Sequence, residues 1–174
     1  MADAPPGAAP GVTIGEVTAA GPRLETVREL LREYAVQVDS SKLCFQGFDA
    51  ELADLPGAYA PPAGCLLLAE LGGLPAGCVA LRRIDERRCE MKRLYVRAVF
   101  RGAGLAGMLV DRVIDKARAI GYQEMLLDTL PEMRAARQMY DMFGFQPCAP
   151  YLDAPTPGAD CLALNLALPR TPAG

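Results

Sequence analysis

The stretch with the clearest chemical potential is Arg101-Gly102-Ala103-Gly104, followed by the apolar Leu105 and Ala106. Glycines at a strand-to-helix turn let backbone N–H groups converge, and the next helix adds the positive end of its dipole, so together they suit a pyrophosphate. The same glycines suit a plain helix cap, and R-G-x-G alone does not separate the two. A Walker-type loop is excluded, because no Gly-Lys-Ser/Thr closes the turn. Gly102-x-Gly104-x-x-Gly107 matches a dinucleotide fingerprint in spacing, with Asp128 at a suggestive distance. That reading needs parallel strands with helical crossovers, whereas the strands before this turn are joined by short loops. The chain contains no histidine, which removes Ser-His-Asp and Cys-His catalysis and every zinc site that needs an imidazole.

The elements that must hold this turn can be read from periodicity. At 174 residues, 51% apolar and 22% charged, the chain has the size and make-up of one globular domain and needs no disulfide or metal to stay folded. A net charge of -3 argues against nucleic acid as a partner. Cys44, Cys65, Cys78, Cys89, Cys148 and Cys161 show no C-x-x-C spacing and read as core thiols. Neither a leader nor a membrane-length apolar run is present, so the expected setting is reducing and cytoplasmic, without a membrane partner.

Residues 1–11 read as a floppy lead-in, 12–169 as a single domain and 170–174 as a tail. Val12 to Val17 alternate as a strand. A helix opens at Pro22 with Leu24, Val27, Leu31, Tyr34 and Val38 on its apolar face and Glu25, Arg28, Glu29 and Arg32 toward water. A short amphipathic piece spans Phe48 to Leu55. Cys65–Leu71, Ala76–Ile84 and Arg88–Val96 form a meander. A helix from Leu105 buries Met108, Leu109, Val113, Ala117 and Ile120 and stops at Gly121. Met125–Thr129 is a buried strand, and Pro131 starts a helix with Met133, Ala136, Tyr140 and Phe143 on one face. Strands at Phe145–Tyr151 and Cys161–Leu168 flank a loop at 153–160. The order predicts a mixed α/β sheet covered by helices.

Arg101-x-x-Gly104-x-Ala106 resembles the Q/R-x-x-G-x-G/A signature of the GNAT N-acetyltransferase superfamily, and it lies after a strand and at a helix start, as that fold requires. Ala136, Tyr140, Gly144 and Phe145 are similar to the family's N-x-x-A-x-x-x-Y helix with its following G-F. The wording from Glu90 to Val96, and Pro150-Tyr151 with Pro155-x-Pro157-Gly158-Ala159, resembles uncharacterised bacterial members. The resemblance extends in element order from about Val12 to Leu168. It implies a mostly antiparallel sheet splayed at its centre, with helices on both faces. Departures are Met133 where the family usually has Asn, Ala103 for a commonly polar residue, and Ala98 for a frequent proline.

The resemblance further implies acetyl-CoA as cosubstrate and no metal. Arg101, Gly102, Ala103, Gly104, Leu105 and Ala106 would wrap the pyrophosphate. Leu94, Tyr95 and Val96 would offer main-chain groups to the pantetheine arm, and Met133 would border it. A backbone N–H near Val96 would polarise the thioester carbonyl. Glu90 is the expected base and Tyr140 the expected acid toward the leaving sulfur. Asp128 is an alternative base, an acceptor contact, or a helix cap. For Glu90 the competing reading is an exposed strand residue or an ion pair with Lys92 or Arg93. Those two cations either meet an anion or are simply solvated, and Arg134 and Arg137 are open in the same way near the CoA phosphates. Phe45, Phe48, Tyr59, Tyr151 and Asp153 sit in segments expected to border the acceptor. The expected activity is acetyl transfer directly to a primary amine of a small molecule or peptide, in a chain that could form a homodimer. The alternatives are a non-catalytic acyl-CoA-binding sensor module and a nicotinamide-dependent reductase.

Overall fold

The structure, a computed structural model, describes residues 11–38 and 47–169. Its strands are β1 (Val12–Glu16), β2 (Cys65–Leu71), β3 (Leu74–Arg83), β4 (Arg88–Val96), β5 (Glu124–Thr129), β6 (Gln146–Pro147) and β7 (Asp160–Asn165). Its α-helices are α1 (Pro22–Gln37), α2 (Phe48–Asp54), α3 (Leu105–Ile120) and α4 (Arg134–Phe143). The strands form one seven-stranded sheet in the order β1-β2-β3-β4-β5-β7-β6. Only β4 and β5 pair in parallel; the rest is antiparallel. The antiparallel run from β2 to β4 rules out the dinucleotide-binding sheet, since its hairpins leave no room for crossover helices.

Two apolar layers cover the sheet. On one face, α3 and Tyr140 of α4 pack with Cys89, Met91, Met125 and Leu127. On the other, α1 and α2 pack with Leu66, Leu68, Cys78, Ala80 and Tyr95. Alternation along β4 therefore turns Cys89 and Met91 toward α3 and turns Glu90 and Lys92 toward α1.

The structure adjusts several expected faces. Leu30 of α1 is fully buried beside Leu31, because the helix is clasped by both the sheet and α2. Arg28, expected in water, instead donates through Nε to the Leu52 carbonyl at 2.8 Å and reaches the Leu55 carbonyl at 3.3 Å, closing the C-terminal end of α2. Val110 and Ile114 of α3 are buried while Ile120 lies at the exposed end. The strand expected over 145–151 pairs only at Gln146–Pro147, and α4 starts at Arg134 rather than at Pro131. Cys65, Cys78, Cys89 and Cys161 are buried and Cys148 half-buried, all as free thiols. Cys44, Phe45, most of the expected lead-in and the whole expected tail lie outside the described residues.

Candidate functional site

The site begins with a strand pair that comes apart. β4 and β5 are in register only at Arg88↔Glu124, Cys89↔Met125 and Glu90↔Leu126. Beyond these pairs β4 runs on to Val96 and β5 to Thr129 with a gap between them. A bulge in β4 lies just past the last pair. Cys78 faces Tyr95 and Ala80 faces Lys92, so Val79 opposes both Arg93 and Leu94. Arg93 has a left-handed φ of 58°. A bulge bends its strand and sharpens the local twist, which leads β4 away from β5. It also breaks the alternation, so that Lys92 and Arg93 both face the α1 and α2 side.

The bulge puts main-chain groups on the open edge. The Arg97 N–H donates to the Ala76 carbonyl at 2.9 Å and so faces β3. By alternation Tyr95 also directs its main chain to β3, whereas Leu94 and Val96 turn theirs toward the gap. The Tyr95 side chain points to α1, with its hydroxyl 3.2 Å from Glu33 Oε2 and 3.4 Å from Gln37 Nε2.

The glycine turn follows the unpaired end of β4 and leads into α3. Gly102 and Gly104 have φ of 87° and 76°, a region costly for residues with a Cβ. A Cβ built on either would meet nothing within 4 Å, so the outer side of the turn is open. Gly104 caps the 16-residue α3, whose first turn carries no acidic side chain to offset the dipole. Arg101 braces the turn from within: its Nε donates to the Val96 carbonyl at 3.0 Å and its Nη2 to Gln37 Oε1 at 2.7 Å. Ala103 is exposed, Leu105 buried and Ala106 half-buried. An exposed cradle of main-chain amides, contiguous with an unpaired strand edge, fits a molecule that carries a diphosphate on an amide-rich arm.

Inside the gap is a cavity whose walls include Tyr34, Lys92, Arg93, Asp128, Thr129 and Tyr140. Leu94 and Met133 also border it, and Met133 stands at the N-terminal boundary of α4. Tyr140 packs edge-on to Phe145 with ring centroids 5.7 Å apart, and burial pushes its phenol above its ordinary pKa of 10.0. It therefore keeps its proton at every physiological pH. Asp128 Oδ2 accepts from the Thr156 hydroxyl at 2.7 Å. This fixes the carboxylate at the cavity wall and not at a helix cap. The Thr129 hydroxyl is buried and has no hydrogen-bond partner, an arrangement expected where a ligand group completes the set.

Glu90, Lys92 and Arg93 of β4 are buried. Glu90 is fully buried, with Arg82 Nε at 2.5 Å from Oε2 and the Tyr151 hydroxyl at 2.8 Å from Oε1. Its ion-pair partner is thus Arg82, directly opposite on β3, rather than Lys92 or Arg93. Glu90 is absent from the cavity walls. Arg93 donates through Nε and Nη2 to the two oxygens of Glu51 at 2.9 and 2.8 Å and lies over the Phe48 ring. Glu51 also accepts from Tyr59 at 2.7 Å. Burial raises the Glu51 pKa, but the Arg93 bonds and charge and the Tyr59 bond outweigh it, leaving a net depression. Burial depresses the Lys92 ammonium, against the pull of the Glu90 and Asp128 carboxylates. Phe48 and Tyr59 are thereby scaffold for Arg93. Arg134 and Asp153 are exposed, and Arg137 pairs with Asp160 at 2.7 Å.

The residues singled out in the sequence thus separate. Leu94, Met133 and Tyr140 line the cavity, Val96 and the Arg101–Ala106 turn follow on from the unpaired end of β4, and Glu90 is not among the cavity walls. Thr129, Tyr34 and Thr156 carried no signal in the sequence, since they are ordinary residue types whose importance comes only from where the strands part. Among the described residues no cluster of His, Cys, Asp and Glu is arranged to hold a metal, and no helix is long and apolar enough to cross a membrane.

Comparison with known proteins agrees with this geometry. Residues 24–145 match the family model of the acetyltransferase (GNAT) family. An uncharacterized N-acetyltransferase of Schizosaccharomyces pombe is 38% identical over 145 residues, spanning 82% of this chain and 88% of that protein. A solved acetyltransferase from Streptococcus agalactiae superposes with a TM-score of 0.72 at 19% identity, covering 90% of this chain and 99% of that one. A GNAT family acetyltransferase from Elizabethkingia anophelis, solved with acetyl-CoA bound, gives a TM-score of 0.65 at 23% identity, covering 90% of this chain and 99% of the other. With its family motif spread over the turn, the parted strands and α4, the chain belongs to the GNAT acetyltransferase family and is an acyltransferase.

Proposed function

We propose that the protein transfers acetyl from acetyl-CoA directly to a primary amine of a small molecule or peptide, within the cavity between β4 and β5. The observation that carries this reading is the early end of β4–β5 pairing at Glu90↔Leu126. It leaves an unpaired strand edge, an amide cradle and a polar cavity in one line. Arg101, Gly102, Ala103, Gly104, Leu105 and Ala106 hold the pyrophosphate through main-chain N–H groups and the α3 dipole. Leu94 and Val96 pair with the pantetheine amides as an added strand would, Tyr95 fixes that edge from the α1 side, and Met133 borders the arm by apolar contact.

When bound, acetyl-CoA supplies the thioester whose carbonyl carbon the neutral amine attacks, the C–N bond forming and the C–S bond then breaking. Asp128 at the cavity wall takes the proton that the amine loses. Tyr140 gives its proton to the departing sulfur and regains one through solvent, so the products are an amide and free CoA thiol. Glu90, the base expected from the sequence, is better suited to a supporting role. Arg82 and Tyr151 occupy both of its oxygens, and it orders the polar face behind Lys92.

The test is release of CoA thiol from acetyl-CoA with a panel of primary amines. Amine-dependent release with a matching acetylated product is expected. CoA binding without turnover for any amine would instead make the protein a sensor of acyl-CoA.

A further inference from the structure

The segment between β6 and β7 returns to the end of β5 and supplies Thr156 and Ala159 to the cavity walls. Its tip is Thr156-Pro157-Gly158-Ala159. The Ala159 N–H donates to the Thr156 carbonyl at 3.1 Å, and Gly158 has a φ of 75°. Proline in the second place and a left-handed glycine in the third are the make-up of a type II turn. Pro157 also confines Thr156, the residue before it, to extended backbone. The segment is anchored on both sides of this turn. Before it, the Tyr151 hydroxyl donates to Glu90 at 2.8 Å. After it, Asp160 lies opposite Thr129 in the β5–β7 register and accepts from Arg137 of α4 at 2.7 Å.

From this turn the Thr156 hydroxyl donates to Asp128 Oδ2 at 2.7 Å, while Oδ1 receives no hydrogen bond from a described residue. The last torsion of an aspartate is broad, so its two oxygens are placed by their partners rather than by a rotamer. Lys92 attracts the same carboxylate from β4, but attraction between charges does not choose one oxygen over the other. A hydrogen bond does, because it is directional. Resting on the transferase reading above, in which Asp128 takes the amine proton, we infer that Thr156 is the positioning residue for that base, holding Oδ2 so that Oδ1 is turned to the acceptor. The proton lost by the amine as its C–N bond forms goes to Oδ1, and Thr156 keeps its own. A base must lie within hydrogen-bond reach of the proton it takes, and small misplacements are costly in rate.

The experiment is steady-state kinetics with acetyl-CoA and the fastest acceptor from a panel of amino acids, monoamines, diamines and short peptides. Thr156→Val keeps the shape and removes the donor; it should lower kcat about tenfold or more, the scale of one hydrogen bond to a charged group, with the KM for acetyl-CoA nearly unchanged. Thr156→Ala removes the same donor if valine disturbs the turn, and thermal melts identify a variant that has not folded. Thr156→Ser, which keeps the hydroxyl, should retain most of the rate. In the Asp128→Asn background, Thr156→Val should cost nothing further, because the two residues act as one unit. A kcat unchanged in Thr156→Val and Thr156→Ala, an equal loss in Thr156→Ser, or a full additional loss in the Asp128→Asn background would overturn the inference. The same data separate it from the reading beneath it. If Asp128→Asn is slow and Thr156→Val is not, only the positioning role fails. If Asp128→Asn is as fast as the parent protein, or no amine of the panel is acetylated, the base or the transferase reading itself fails and takes the inference with it.

Discussion

The Tyr151 hydroxyl donates to Glu90 Oε1 at 2.8 Å, joining the loop before β7 to the last paired residue of β4. With Arg82 on the other oxygen, Glu90 has both oxygens engaged at the point where the sheet opens. Asp128, two residues beyond Leu126 on β5, borders the cavity instead. Asp128→Asn should lower kcat by about 100-fold or more, the usual scale of general-base loss, with acetyl-CoA affinity nearly unchanged. Tyr151→Phe should act mainly on stability, by about 1.5–3 kcal/mol for a bond to a buried charge. Steady-state kinetics beside thermal melts decide the matter; a larger kcat loss in Glu90→Gln than in Asp128→Asn would return the base to Glu90.

Tyr140→Phe removes one hydroxyl from the cavity while keeping the ring contact with Phe145. Turnover should fall by about 100-fold, with little change in melting temperature or in acetyl-CoA affinity. Thioesters with more acidic thiol leaving groups should suffer less, because they depart without a proton. An unchanged rate would remove Tyr140 as the acid.

Gly104 caps α3 at a φ of 76°. Gly104→Asp adds about 1–2 kcal/mol of backbone strain and places a carboxylate at the turn proposed to hold the diphosphate. Acetyl-CoA binding measured by calorimetry should be lost while the far-UV circular dichroism spectrum stays native. Retained binding would put the cradle elsewhere.

Thr129 hides a hydroxyl without a partner, a burden of about 1–3 kcal/mol on the free protein. The isosteric Thr129→Val should therefore raise the melting temperature of the free protein and weaken ligand binding at the cavity. Thermal melts with and without acetyl-CoA and acceptor read both effects. A destabilised free protein would mean that the hydroxyl is already satisfied there.

Glu51 has its carboxyl pKa held below the ordinary 4.5 in the folded state, with the Arg93 and Tyr59 bonds outweighing burial. A carboxyl depressed on folding contributes stability that is fully present above its unfolded pKa and is lost as pH falls through the folded one. Melting temperature should thus hold from neutral pH down to about pH 5 and decline below about 4.5. Glu51→Gln should cost about 3 kcal/mol at neutral pH by leaving Arg93 without its counter-charge, and it should flatten that acid decline. An acid decline of the same depth in Glu51→Gln would assign it to other carboxylates.

Much of this architecture was already determined by the order of side chains along the chain. Alternation in Val12–Val17, the apolar runs at Cys65–Leu71 and Arg88–Val96, the three-and-four spacing after Pro22 and Leu105, and the glycines at 102, 104, 121 and 144 act over a few residues, so local patterning suffices to set the elements and the turn. The pairing that makes a site acts across the sheet, and only tertiary structure decides it. Whether Glu90 meets Lys92 or Arg82 depends on β3–β4 register, and whether Lys92 and Arg93 reach water depends on one extra residue opposite Val79. The bulge reverses which side chains share a face, and α1 and α2 cover that face. Charges that look solvated along the strand are thereby buried, and the gap beside them becomes a place for a reaction.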